Sequence, residues 1–241
     1  MTIFHICTIS NNLQQYDEMK ISFIEAGFDN NRCRYSLFDN SQGNIYDPYQ
    51  TLNQIKSEPY IIFCHQDVLI DRGDDFDRLV TILEKLEKYD PHWAVAGNAG
   101  VNSNHKIVAK ITDPCNTPKW LGKLPQTVLS LDENFFVIKT NANIFSSNEL
   151  KGFHFYATDL CFSAIVNKQN CYVIDFHITH LSGGTASADF WKVQSDFYQK
   201  WCQDFVLFYV KTTMGVEMCL SKYKILRYIG SHRRVKSLIF K

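Results

Sequence analysis

The sequence predicts an α/β protein with alternating strands and helices, on three observations. Ile3 to Ile9, Cys33 to Phe38 and Tyr60 to Phe63 are short apolar segments with the length and composition of buried strands. Stretches of helical periodicity separate them, which favours a parallel βαβαβ arrangement. Each strand then stops in a polar exit: Ser10-Asn11-Asn12, Asp39-Asn40-Ser41 and His65-Gln66-Asp67. In open α/β sheets, ligands bind beyond the carboxyl ends of strands. The third exit is the most pointed, because His, Gln and Asp cannot stay buried without partners.

In chain order, Leu13, Tyr16, Met19 and Phe23 follow the first strand at helical spacing, with a polar turn to cap them and Gly27 to stop them. Tyr49, Leu52 and Ile55 predict a short helix before the third strand. Asp74-Asp75 opens the clearest amphipathic helix, with Phe76, Leu79, Val80, Leu83 and Leu86 on one face and Pro91 just past its end. Trp93 to Gly97 reads as a fourth strand. Gly, Asn and Pro between Val101 and Gln126 predict loops, with a short hairpin at Ile107 to Ile111. Thr127 to Leu131 and Phe135 to Lys139 either pair with each other or continue the sheet. An aromatic loop, Gly152 to Tyr156, runs into a helix with Leu160, Ala164 and Ile165. Cys171 to Phe176 is a further strand, ending in His177-Ile178-Thr179-His180. A last helix carries Phe190, Phe197 and Trp201.

The 241 residues are enough for one large α/β domain with a proper core. The formal charge is zero, with 25 Lys and Arg against 25 Asp and Glu, but it is unevenly placed. From Lys211 to Lys241 five Lys and three Arg face only Glu217, a net of +7. Such a tail suits a membrane surface or another phosphate-rich partner, and equally a solvated C-terminal face. Interleaved with it, Leu207, Tyr209, Val210, Leu220, Tyr223, Ile225 and Leu226 supply apolar side chains. The eight cysteines show no CxxC spacing and several sit in apolar runs, which predicts buried thiols in a reducing compartment. Without a basic n-region or an apolar run of membrane-spanning length, the expected location is cytoplasmic, with the inner face of a membrane as one option within it.

A hard divalent cation that bridges phosphates takes one or two carboxylates and leaves positions for substrate oxygens. A His ligand shifts preference toward manganese or a softer ion. Asp67 with His180 would form such a site. His177 and His180 lie three apart on a strand and so face opposite sides. His180 is the one expected to reach the crevice, because Gly183-Gly184 follow and permit close backbone approach to a ligand. Asp39 at a strand exit and Asp159 at a helix start complete the candidate set. There is no P-loop, GxGxxG or GxSxG, so kinase-type, dinucleotide and hydrolase-elbow chemistries lack support.

The order of these pieces resembles a known family. Asp39-Asn40, Leu52-Asn53 and then Ile61-Ile62-Phe63-Cys64-His65-Gln66-Asp67-Val68 look like family 2-like glycosyltransferases of the GT-A fold, in the bacterial branch that writes its DxD element as HQDV. Phe155-Tyr156-Ala157-Thr158-Asp159-Leu160 resembles the catalytic-carboxylate segment, and His177 to Thr185 the closing His-Leu-Ser-Gly-Gly segment. The resemblance covers roughly the first four-fifths of the chain. It implies a Rossmann-like α/β/α sandwich with a mixed, mainly parallel sheet, residues 1–185 forming the catalytic domain and 186–241 a helical, basic extension.

The implied activity is inverting transfer of a sugar from a nucleotide-sugar donor to a saccharide or lipid-linked saccharide acceptor, in bacterial surface polysaccharide or glycoconjugate synthesis. By position, Thr8, Asn11, Asp39, Asn53, His65, Gln66 and Asp67 would bind the donor. Asp67 and His180 would hold Mn or Mg, and Asp159 would be the general base. The chain departs from the family's pattern where its first acidic DxD position is His65. No nucleic-acid partner is expected. Two rival readings are a nucleotidyltransferase, for which Ile9-Ser10-Asn11-Asn12 is the wrong phosphate loop, and a non-catalytic sugar- or partner-binding module on the same scaffold.

Overall fold

The computed structural model describes residues 2–41, 43–47, 57–114, 117–183 and 189–231. The helix expected around Tyr49 to Ile55 lies outside the described residues, as does Asn53.

Strand β1 (Phe4–Ser10) is central to the first half of the sheet. It pairs in parallel with β2 (Cys33–Asp39) on one side and β3 (Tyr60–His65) on the other. The registers bring Ser10 beside Asp39 and Ile9 beside His65, so three strand exits share one edge. Helix α1 (Leu13–Glu25) starts where the Asn12 side chain accepts the Gln15 N–H. Helix α2 (Phe76–Tyr89) is capped likewise by Asp75, which accepts from the Arg78 N–H at 2.8 Å.

The seven-stranded sheet is completed by β11 (Phe135–Lys139), β5 (Trp93–Gly97), β12 (Asn170–Val173) and β9 (Gln126–Val128), in the order β2-β1-β3-β11-β5-β12-β9. β11 is antiparallel to both its neighbours and β9 to β12, so five strands run one way and two the other. The sheet is mixed and mainly parallel. Its strands alternate between two cores. Phe4, Ile6, Ile62 and Cys64 pack against α1 and α2, while Cys7, Ile9, Ile61 and Phe63 pack toward α3 (Tyr156–Val166) and α4 (Phe190–Trp201).

Two stretches differ from the sequence reading. The stretch from Val101 to Gln126, expected as loops with a short hairpin at Ile107 to Ile111, instead carries β7 (Ile107–Asp113) and β8 (Thr117–Leu121), which join β6 (Ala99–Val101) in a second sheet. β10 (Ser130–Leu131) joins its edge, and a Cβ on Gly100 would lie 2.5 Å from the Ser130 carbonyl oxygen, so this glycine makes the pairing feasible. The strand expected over Cys171 to Phe176 ends at Val173. Asp175 then pairs with Arg78 and Lys110, both at 2.6 Å, and the chain re-enters the second sheet as β13 (Ile178–His180). β13 lies between β7, parallel, and β4 (Val68–Leu69), antiparallel.

Beyond α4 the chain forms a hairpin, β14 (Phe208–Lys211) and β15 (Glu217–Leu220), then α5 (Lys224–Ser231). The hairpin was not expected, and it buries Tyr209, Val210 and Leu220. The seven described cysteines are all buried and form no disulfide; Cys115 lies outside the described residues. Among the described residues no helix is long and apolar enough to cross a membrane.

Candidate functional site

The turn from β3 into β4 carries His65, Gln66 and Asp67, and β13 brings His180 against it. His180 stands opposite Val68 in the β4–β13 pairing, and the Leu181 N–H donates to the Asp67 carbonyl at 2.9 Å. Two side-chain ties hold β13 in that register. Asp74 accepts the His177 N–H at 2.6 Å, and the Thr179 hydroxyl donates to Asp71 at 2.7 Å. The His177 ring turns the other way, to Thr112 at 2.9 Å.

His65, Asp67 and His180 each offer one ligand atom, and these atoms lie within 4.8 Å of one another. Asp67 Oδ1 is 3.5 Å from His180 Nε2 and 3.9 Å from His65 Nδ1; its Oδ2 accepts from the Ser182 hydroxyl. Burial works against the Asp67 anion, but the His180 imidazole beside it and the Ser182 hydroxyl outweigh it and bring its pKa down to about 2. Burial likewise disfavours charge on His180, yet Asp67 holds its pKa above the ordinary value. His65 goes the other way, down to about 4, through burial first and then the neighbouring His180.

His65 Nε2 is 2.7 Å from the Tyr156 hydroxyl, which also lies 3.2 Å from the Glu133 carbonyl oxygen. That contact holds the His65 ring with Nδ1 on the Asp67 side, 3.9 Å from Oδ1. His180 Nε2 is buried with no hydrogen-bond partner of good geometry. Two imidazole nitrogens and a low-pKa carboxylate, their ligand atoms within 4.8 Å of one another, form a donor set that fits a divalent cation. Its mixed N/O character suits Mn2+ better than Mg2+. The Tyr156 contact is the kind of outer hydrogen bond that orients a ligating histidine.

The other expected site residues divide. Asn11 and Asp39 are exposed at the same sheet edge, with Asp39 drawn below the ordinary carboxylate range by hydrogen bonds from the Ser41 hydroxyl and N–H. Gln66 is fully engaged. Its Oε1 accepts from the Ser10 hydroxyl and the Asn11 and Asn12 N–H groups, and its Nε2 donates to Asn11 and Gln15. That leaves it no hydrogen-bonding capacity for a ligand and makes it the clip between the β3 exit and the start of α1. Thr8 is fully buried beside Cys64 Sγ, at 3.3 Å, beneath the edge rather than on it.

Asp159 is 0 % exposed. Its carboxylate accepts the Ser147 N–H at 2.7 Å, the Ser147 hydroxyl at 2.6 Å and the Trp201 indole N–H at 2.8 Å. Burial raises its pKa to about 6 against the lowering effect of those donors. In this arrangement it ties α3 to α4 and offers no oxygen to an acceptor.

Sequence reasoning missed three residues here. Tyr156 orients His65. Glu133 lies against the N–H groups of Phe155, Tyr156 and Ala157, where α3 has no cap of its own, and burial drives its pKa well above the ordinary range. Asp132 acts electrostatically on both His65 and His180, and its Oδ1 accepts from Asn134. The signal available was the acidic pair Asp132-Glu133 just before an apolar strand, read as a turn. Phe155, at the start of α3, has a left-handed backbone (φ 67°), a conformation unfavourable for a bulky residue and often found beside functional sites.

No protein-family model matches the chain. It is 34% identical over 210 residues to the protein called "ATP synthase subunits region ORF 6" of Fuscovulum blasticum, covering 83% of each chain. The chain belongs to that protein's family. Solved structures fix the fold. S. aureus TarS 1–349 in complex with UDP-GlcNAc matches over 83% of this chain and 66% of its own, with a TM-score of 0.52 and 12% identity. GalNAc-T7 with UDP, GalNAc and Mn2+ matches over 84% of this chain and 50% of its own, with a TM-score of 0.53 and 7% identity. Both neighbours are GT-A glycosyltransferases, and the fold of this chain is GT-A-like. The chain spans half to two thirds of the length of these structures.

Proposed function

We propose that this chain is a nucleotide-sugar-dependent glycosyltransferase that passes a sugar, with inversion, to an acceptor hydroxyl. The carrying observation is the His65–Asp67–His180 cluster at the carboxyl edge of β3, within a GT-A-like sheet. His65, Asp67 and His180 would hold a divalent cation, Mn2+ by their donor chemistry, which offsets the charge developing on the leaving nucleoside diphosphate. Asn11 and Asp39, on the neighbouring strand exits, would contact the nucleoside. Gln66 and Thr8 support that edge from beneath.

The base role expected of Asp159 passes, in this reading, to Asp132. A general base must reach its acceptor through one of its oxygens. Asp159 spends its carboxylate on three internal donors, whereas Asp132 is half-buried, has only Oδ1 tied to Asn134, and acts electrostatically on the histidine pair. The acceptor is a saccharide or lipid-linked saccharide of bacterial surface polysaccharide or glycoconjugate assembly. Residues 1–185 carry the donor site and 186–241 are an extension whose α4 supplies Trp201 to the core.

A thermal-shift screen of nucleotide-sugars, with and without Mn2+, tests the reading. One donor class should raise the melting temperature only with the cation, since a ligand of the folded state stabilises it. Asp67→Ala should remove that shift. Released nucleoside diphosphate supports transfer; released pyrophosphate would mean a nucleotidyltransferase, and binding without turnover a non-catalytic module.

A further inference from the structure

Helices α2 and α4 each bury an apolar stripe, Leu79-Leu83-Leu86 in one and Val193-Phe197-Trp201 in the other, whereas α5 leaves most of its apolar residues exposed. In α5 the half-buried residues are Leu226 and Arg227, whose guanidinium lies 3.7 Å from Cys202 Sγ. Ile225 and Tyr228 are exposed by 73 % and 72 %, and Ile229 is exposed as well. At 3.6 residues per turn, Lys224, Tyr228, Ile225 and Ile229 occupy one continuous arc, with Leu226 on the other side. Single exposed apolar residues are ordinary on a soluble protein. Three on one face of a two-turn helix, flanked by Lys222 and Lys224, make a patch.

Charge says what the patch fits. The chain from Lys211 onward carries a net +7, while the remainder carries −7. An apolar helix face bordered by cations is the pattern of a helix lying in the interface of an anionic bilayer, with Tyr at headgroup depth. We infer that the outward face of α5, centred on Ile225, Tyr228 and Ile229, docks this protein on an anionic lipid surface through apolar insertion and lysine–phosphate attraction. The surface is narrower than the sequence implied, because Tyr209, Val210 and Leu220 are buried in the β14–β15 hairpin. The inference stands apart from sugar transfer, as vesicle binding is read without donor.

The test is co-sedimentation of the full chain with vesicles of phosphatidylcholine alone or mixed with phosphatidylglycerol. Binding should require the anionic lipid and fall about tenfold or more as salt is raised. The variant Ile225→Glu should lose most of the binding while keeping its melting temperature, since that side chain is already 73 % exposed. Equal binding to neutral and anionic vesicles would overturn the inference, as would equal binding by the variant. So would a dimer that the variant converts to monomer with no vesicle binding by either, which would make a second copy the occupant. Tight binding to duplex DNA in place of vesicles would overturn it too.

Discussion

The indole N–H of Trp201 donates to Asp159 Oδ1 at 2.8 Å inside the core, and both residues are buried. This bond joins α3 to α4 across a stretch of chain that includes β12 and β13. It turns a carboxylate in a motif with a catalytic resemblance into a fastening between helices.

Loss of that fastening should show in stability. Trp201→Phe keeps most of the ring volume but removes the donor, and a cost of about 1–3 kcal/mol is expected from urea unfolding. A variant as stable as the parent would remove the bond's structural importance.

Asp159 also predicts a pH dependence. Its folded pKa of about 6 lies above the ordinary value of 3.8, so the folded state binds the proton more tightly than the unfolded chain. The stabilisation is complete below pH 3.8 and is lost as pH rises through 6. Unfolding free energy should therefore rise as pH falls from 7 to 5, by at most about 1.4 kcal/mol per pH unit from this group. Asp159→Asn should flatten that slope; an unchanged slope would assign it to other groups.

The two acidic residues make opposite kinetic predictions. Asp132→Asn should lower turnover by about 10²–10⁴-fold with donor affinity retained. Asp159→Asn should lower the melting temperature while folded enzyme keeps its turnover. The reverse pattern would restore Asp159 as the base.

Tyr156→Phe removes the hydrogen-bond partner of His65 Nε2 and frees the ring to flip. Mn2+ affinity, followed by paramagnetic resonance, should weaken by about 10–100-fold, the usual cost of losing an outer hydrogen bond to a ligand. Unaltered affinity would show that the ring is held in some other way.

Gly152 has φ +108°, and a Cβ there would lie 2.6 Å from Val193 Cγ2. Gly152→Ala should cost about 2 kcal/mol or more, from backbone strain and the clash together. Val193→Ala in the same chain should relieve the clash but not the strain, giving partial recovery in urea unfolding.

Much of this fold was legible because its strands are apolar runs of the right length and its first helices carry their own caps. β1, β2, β3 and α2 announce themselves by Ile6, Phe63 or the Leu79-Leu83-Leu86 stripe. The second sheet does not. Four of its six strands are only two or three residues long and a fifth carries a Pro, and Gly and Asn punctuate the segments around them, so pairing alone distinguishes them from loops. The site divides in the same way. His65 and Asp67 stand at a visible strand exit, while the direction of each side chain depends on tertiary partners. Nothing local shows that Gln66 turns to α1, that Asp159 turns to Trp201, or that Tyr156 reaches His65 from another element.

The histidine cluster spans two sheets, with His65 on the seven-stranded one and His180 on the other. A cation held between them would act as a removable rivet across that seam. Chelation should then loosen hydrogen-exchange protection first along β4 and β13, while β1 and β3 keep theirs. The order in which amides open would report occupancy of the cluster with no turnover measured at all.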